Sequence, residues 1–328
     1  MKILVTGGAG YVGSHIVKKL IDNNYSVVVY DNLSEGHREA VDKKAVFVNA
    51  DLCDIKKISS SIKKYRINAV IHMAAFALVE ESMKNPEKYF TNNVDNGINL
   101  LEAMRSNNVN PIVFSSSSVV YGKKPKMPLP ENSRLKPENP YGETKLAFEE
   151  ILKKSDKSGI KSISLRYFNA AGAEPGGCIG EDHKPETHLI PNVLNVASGK
   201  KDSLNVYGTD YNTKDGTAVR DYIHVSDLAE AHILALEALF GGHKTDVYNL
   251  GNEKGYSVLD IIKMSEQVTG KKIPVETKPR RAGDAPVAVS DCTKIKKELK
   301  WKPKYSDIKD IIGTAWNWHR NHPDGYGK

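Results

Sequence analysis

A chain of 328 residues, 40% hydrophobic and 27% charged, is long enough to bury one large core or two moderate ones, which excludes a disordered or linker-like protein. Its net charge of +7 comes from Lys and Arg spread along the whole length, without a basic, aromatic-interleaved stripe, so no nucleic-acid partner is expected. No stretch nears the roughly 18 consecutive apolar residues of a membrane helix and no leader pattern opens the chain; Cys53, Cys178 and Cys292 make neither a disulfide framework nor a CxxC metal pair, so the expectation is a cytoplasmic protein with reduced thiols, no membrane partner and no metal.

In chain order, apolar runs at residues 2–5, 26–30, 45–48, 69–72, 111–114 and 162–167 alternate with helical patterns. Ile3-Leu4-Val5 and Val27-Val28-Val29 are apolar throughout, as strands covered on both faces are, so the predicted fold class is α/β with a doubly wound parallel sheet. The first strand runs into Thr6-Gly7-Gly8-Ala9-Gly10-Tyr11-Val12-Gly13 and a helix follows. Gly7 permits a tight turn, Gly10 lets backbone approach a pyrophosphate, and Gly13 lets the helix pack closely on the strand. A glycine triplet alone is a weak signal, but the second strand ends at Asp31, where a carboxylate accepts hydrogen bonds from both hydroxyls of an adenosine ribose and repels a 2′-phosphate. The expected cofactor is therefore NAD rather than NADP. Asp51, after the third strand, suits the adenine edge or plain solvent, and spacing does not decide between them.

Further along, the fifth strand leads into Ser115-Ser116-Ser117-Ser118, which places hydroxyls at the carboxyl edge of the sheet, although spacing does not single out Ser117. Next comes Asn139-Pro140-Tyr141-Gly142-Glu143-Thr144-Lys145, with an N-cap residue and a proline for the first helical position. Tyr141 and Lys145 share a helix face, and an ammonium one turn away, with the positive nicotinamide ring, favours a phenolate able to accept a hydroxyl proton. Alone, such a pair marks an amphipathic surface helix; the serine hydroxyls weigh against that reading. Beyond about Ala170 the rhythm breaks over the Gly/Pro-rich residues 172–191, then a helix over 225–240, a strand over 247–250 and a helix over 258–268 lead back toward the first lobe. The predicted organisation is a Rossmann-type NAD-binding lobe at 1–170, with returning segments near 221–270, and a smaller, discontinuous α/β substrate lobe at 171–328.

These residues together resemble the extended short-chain dehydrogenase/reductase family over essentially the whole chain. Within it they are most similar to the enzymes that epimerise C4 of UDP-hexoses, on residues 6–15, 165–169, 216–225, 248–251, 280–284, 316–318 and 322–326. The resemblance implies that Tyr141 is the base, Lys145 its partner and Ser117 an accessory hydroxyl, and that the C4 hydroxyl is inverted through a 4-keto sugar. It carries over NAD contacts at Tyr11, Val12, Asp31, Asn32, Leu33, Ser34, Glu35, Gly36, Asp51, Leu52, Met73, Ala74, Ala75, Phe76, Ala77, Asn92 and Phe168, and UDP-hexose contacts at Asn169, Leu189, Arg220, Arg281 and Asp284. Phe168 also reads as a core residue, and Arg220 beside Asp221 as a surface ion pair. Ala77 stands where some members carry a lysine, and His188 precedes Leu189 where others have asparagine, so the role of His188 at the substrate is open. Ala288 stands where a bulky residue excludes N-acetyl sugars in other members, which implies acceptance of UDP-GlcNAc and UDP-GalNAc. A homodimer through residues 86–104 and 141–154 is expected. The rival readings are a sugar-nucleotide 4,6-dehydratase, whose acid pair is replaced here by Ser118-Val119, and a non-catalytic NAD sensor, which commonly lacks the Tyr/Lys pair.

Overall fold

The apolar runs become strands in the computed structural model, which describes residues 1–122, 127–281 and 284–327; Ala282 and Gly283 of the 280–284 motif lie outside the described residues. Strands β1 (Lys2–Thr6), β2 (Ser26–Asp31), β3 (Val46–Asn49), β4 (Ala69–His72), β5 (Pro111–Ser117) and β6 (Lys161–Tyr167) alternate with helices. Those helices are α1 (Tyr11–Asp22), α2 (Ile55–Tyr65), α3 (Val79–Lys84), α4 (Pro86–Phe90), α5 (Asn96–Ser106) and α6 (Pro140–Ser155). The chain continues through β7 (Asn169–Ala171), α7 (Leu189–Ala197), β8 (Leu204–Tyr207), β9 (Val219–His224), α8 (Val225–Phe240) and β10 (Asp246–Leu250). It ends with β11 (Gly255–Ser257), α9 (Val258–Thr269), β12 (Val275–Lys278), β13 (Val287–Ala288), α10 (Thr293–Glu298) and α11 (Ile308–Asn321).

One seven-stranded sheet runs in the order β10-β6-β5-β4-β1-β2-β3 with every pairing parallel. Successive residues of β1 face opposite sides: Ile3 and Val5 pack with α1 and α8, whereas Leu4 packs with α2, α5 and α6. Both faces are thus dry, which is why the strand segments are apolar without alternation. Strand order reverses between β1 and β4, and the crevice beyond their carboxyl ends is where ligands of such sheets bind.

β5 extends three residues past its predicted end at Phe114. Its serines are strand residues rather than a turn because their hydroxyls are satisfied from neighbouring elements. Ser115 Oγ lies 2.5 Å from the Tyr167 hydroxyl, and Ser116 donates to Glu149. Glu149 on α6 is in turn bonded by buried Arg166 of β6 at 2.9 and 2.5 Å, and Arg166 reaches the Tyr121 hydroxyl at 3.0 Å. This buried network fastens β5, β6 and α6 directly beneath Ser117.

Within the expected return near 221–270, α8 and β10 join the first core, to which Cys292, Ile295, Leu299 and Trp301 also contribute later in the chain. α8 packs against α1 and the sheet, but α9 buries Ile261 and Ile262 in a separate core with α7, α11 and strands β7 to β9, because its apolar stripe matches those helices. In that region β9 pairs with β7, β11 and β13, and β8 with β12. No helix among the described residues is long and apolar enough to cross a membrane.

Candidate active site

The crevice at the strand-order reversal begins with the glycine loop. Gly7 adopts φ +68°, and a Cβ there would stand 2.5 Å from Ala74 N. A Cβ on Gly13 would stand 2.1 Å from the Gly7 carbonyl oxygen, so α1 sits directly on the loop. Gly10 differs: its imagined Cβ meets only the Gly7 oxygen at 3.5 Å, so the space before it is open. Gly10 caps α1 without a side-chain bond, which leaves first-turn N–H groups available to an anion. Asp31 is buried, accepting from Ala9 N at 2.9 Å and Leu33 N at 2.8 Å; burial pushes its carboxyl up and these two bonds oppose the shift. Asp51 accepts from Cys53 N at 2.8 Å and Asn32 Nδ2 at 2.6 Å, and although burial opposes it these bonds hold the carboxyl below its usual range.

A cleft is lined by Gly7, Gly10, Asp31, Asn32, Ser34, Glu35, Gly36, Asp51, Leu52, Met73, Ala74, Ala75, Phe76 and Asn92, all anticipated from the sequence. Tyr30 and Ala50 also line it and were missed, though each directly precedes a predicted acid. Other anticipated residues sit around the cleft. Val12 and Leu33 pack on the sheet core, Ala77 is exposed, and Phe168 packs with Val120, Tyr121, Leu129 and Ala288. The Tyr11 hydroxyl donates to the Gly172 carbonyl at 2.6 Å, joining the glycine loop to the loop after β7. Asn93 was also missed: within a π-helical turn over Thr91–Asp95 it bonds Phe76 N and O and reaches Thr144 of α6 at 3.1 Å, bracing the cleft wall against that helix.

α6 starts as its sequence suggests, with Pro140 in the first turn and Asn139 Oδ1 accepting from Gly142 N at 2.9 Å. Tyr141 and Lys145 then lie on its inner face, 9% and 3% exposed. Among the serines of β5, Ser117 is the one that acts on the phenol, favouring its ionised form, which distinguishes it from its neighbours. Lys145 Nζ stands over the Tyr141 ring, 5.8 Å from its centroid, and donates to the Ser115 carbonyl at 2.8 Å. In the chain by itself, burial drives both groups toward neutrality. The phenol is pushed well above its ordinary value despite Ser117, and the ammonium is pushed down to about 7 despite Glu149. The acidity expected of Tyr141 is therefore not a property of its protein neighbours; a further positive charge is needed.

On the other side of the crevice, Asn169 Nδ2 donates to the Asp221 carbonyl at 2.8 Å. Arg220 donates to the Ala285 carbonyl at 2.7 Å and lies 3.6 Å from Asp284, which also pairs with Arg281 at 3.1 Å; Arg281 stacks over Tyr207. The surface pair imagined between Arg220 and Asp221 does not form. Asp221 is fully buried and accepts instead from Asn252 N, Glu253 N and Ser290 N and Oγ. Ala288 pairs with Arg220 in the β13–β9 register, Leu189 opens α7, and His188 at its N-cap meets Glu181 at 2.5 Å.

The NAD dependent epimerase/dehydratase family model matches residues 3–251. A UDP-glucose 4-epimerase of Lacticaseibacillus casei is 51% identical over 328 residues, covering 100% of this chain and 99% of its own. A crystal structure of a UDP-glucose 4-epimerase superposes with a TM-score of 0.98 at 47% identity, covering 100% of both chains. The UDP-glucose 4-epimerase from Bifidobacterium longum in complex with NAD+ and UDP gives a TM-score of 0.94 at 37% identity, covering 99% of this chain and 100% of that one.

Proposed function

The chain belongs to the NAD dependent epimerase/dehydratase family, and from that premise we propose that it interconverts UDP-galactose and UDP-glucose at C4 of the hexose, with NAD as its cofactor. The observation that carries this reading is the buried Tyr141 phenol, with Lys145 over its ring and Ser117 acting on its hydroxyl at the carboxyl end of β5. NAD fits the residues present: the open face of Gly10, the loop closed by Gly7 and Gly13, and the Asp31 carboxylate at the end of β2 would hold its pyrophosphate and adenosine ribose. When bound, NAD supplies a positive nicotinamide ring and a reversible hydride acceptor.

Carbon 4 has no neighbouring carbonyl to acidify its hydrogen, so direct proton abstraction there is out of reach and oxidation is required. Tyr141 takes the O4 proton, Ser117 holds the same oxygen and Lys145 lies beside the phenol ring; a bound nicotinamide ring would supply the positive charge that offsets the burial raising the phenol. Tyr141 gives the proton back once the 4-keto sugar has presented its other face. The sugar must turn while the nucleotide stays, so binding is concentrated on UDP through Asn169, Arg220 and Arg281, whose guanidinium forks match diphosphate oxygens. Asp284 then keeps both arginines in place between turnovers. Ser118-Val119 next to Ser117 offer no acid for eliminating water, so a 4,6-dehydratase is not favoured.

We divide the chain accordingly into an NAD-binding unit of residues 1–170 with 225–250 and 292–301, and a UDP-sugar unit formed by the remainder. Cytoplasmic residence is supported by three unpaired thiols. A homodimer through residues 86–104 and 141–154 is supported by exposed Phe90 beside exposed Val79 and Met83; light scattering should give twice the chain's mass. Acceptance of UDP-GalNAc rests on the small Ala288, and Ala288→Tyr should abolish it while sparing UDP-galactose. The deciding experiment for the main reading is incubation of the purified protein with UDP-galactose and no added NAD: UDP-glucose should appear, and its absence with NAD retained on the protein defeats the assignment.

A further inference from the structure

Between β7 and α7 the chain gathers Glu181, His183, Glu186 and His188, whose ligand atoms all lie within 4.8 Å of one another. The reaction derived above makes no use of Glu181, His183 or Glu186. We propose that this cluster binds one zinc-class divalent cation through Nδ1 of both histidines and one carboxylate oxygen of each glutamate.

Tetrahedral zinc with bonds of about 2.0–2.2 Å sets its donor atoms roughly 3.3–3.6 Å apart. His183 Nδ1 lies 3.3 Å from Glu181 Oε1 and 3.7 Å from Glu186 Oε2, two edges of such a set, while His188 Nδ1 lies 3.6 Å from the other Glu186 oxygen, Oε1. The one short edge, 2.5 Å between His188 and Glu181, is a hydrogen bond whose proton a metal replaces; the half-exposed His188 ring has room to open that edge by about 1 Å. His183 Nδ1 is the second, independent sign. It is buried, faces both carboxylates and makes no hydrogen bond, an arrangement a buried polar atom rarely keeps without a ligand.

Two imidazoles and two carboxylates suit zinc better than magnesium or calcium, which take six or more oxygens. The spacing Glu-x-His-x2-Glu-x-His needs no thiol, so a search for cysteine pairs passes over it. A cation here would be structural, tying the loop before α7 to the glycine loop, since the His183 ring meets the Tyr11 ring edge-on at 6.2 Å. A second acid–histidine group, His243, Asp246 and Glu298, is already engaged: Lys294 lies 2.5 Å from Asp246, and the Tyr248 hydroxyl bonds Glu298 at 2.7 Å.

The test is zinc uptake by the whole chain after EDTA treatment and removal of the chelator, read by equilibrium dialysis with elemental analysis and by X-ray absorption. About one zinc per chain is expected, with a first shell of nitrogen and oxygen only, near 2.0 Å. His183→Asn with Glu186→Gln should weaken uptake at least ~100-fold, roughly tenfold per ligand lost. His243→Asn should leave it unchanged. The proposal falls if the unaltered chain takes up no stoichiometric zinc, if its shell contains sulfur, if the double variant binds as the parent does, or if His243→Asn removes the metal. Stoichiometry and spectrum come from the unaltered chain, so a double variant that fails to fold does not shield the idea.

Discussion

Around the large sheet the cofactor cleft is shaped by backbone: Gly7, Gly10 and Gly13 set the approach, and Asp31 is held by two N–H groups. Around β9 and β13 the groups proposed to meet the diphosphate are long side chains already paired with one another, Arg220 and Arg281 on Asp284. The first arrangement is rigid before any ligand arrives. The second can exchange one anion for another, which suits a site that must grip a nucleotide while a sugar turns over. The contrast teaches that retention of the cofactor and release of the product call for different materials within one crevice.

The contrast can be broken most severely on the rigid side. Tyr141→Phe removes the proposed proton acceptor, and turnover should fall about 10³-fold, some 4 kcal/mol, while NAD stays bound; near-normal turnover with UDP-galactose would refute the role. Beneath it, Glu149→Ala strands the Arg166 charge in a dry core. A loss of about 3 kcal/mol is expected in urea unfolding, and an unchanged midpoint would show that the network is ornamental.

The histidines sharpen the same comparison through pH. His15, His72, His224 and His232 are pushed down by burial, to about 4, 3, 3 and 4. Each folded ring resists a proton that the unfolded chain accepts below about pH 6.5. Their contribution is thus complete above pH 6.5 and is lost as pH falls toward 4. His232→Leu should therefore lose less stability than the parent between pH 7 and pH 5, by about 2 kcal/mol; parallel losses would contradict the assigned burial. On the exchangeable side the effect is smaller. Arg281→Ala should raise KM for UDP-galactose about tenfold, near 1.4 kcal/mol, with little change in kcat; a fall in kcat at constant KM would move Arg281 from substrate binding to the chemistry.

Much of this was legible in one dimension. Continuous apolar runs announced a sheet covered on both faces, the glycine spacing announced a loop that opens a helix, and Tyr141 with Lys145 fell on one helix face because helical neighbours are four residues apart. Ser117 was not distinguishable from Ser115 or Ser116 until β5 was set beside α6, because which hydroxyl meets the phenol depends on the register of two distant segments.

The sequence by itself determined the elements and the residue types that carry the chemistry, since hydrophobic periodicity, glycine geometry and helical spacing act between near neighbours. Only the tertiary structure decided partners and the pull on charge states: that Lys145 bonds the Ser115 carbonyl, that Asp284 serves two arginines while Asp221 is sealed inside, and that burial pushes the Tyr141 phenol above its ordinary value. Desolvation and ion pairing depend on what else is nearby in space, and the chain brings those groups together only when it folds.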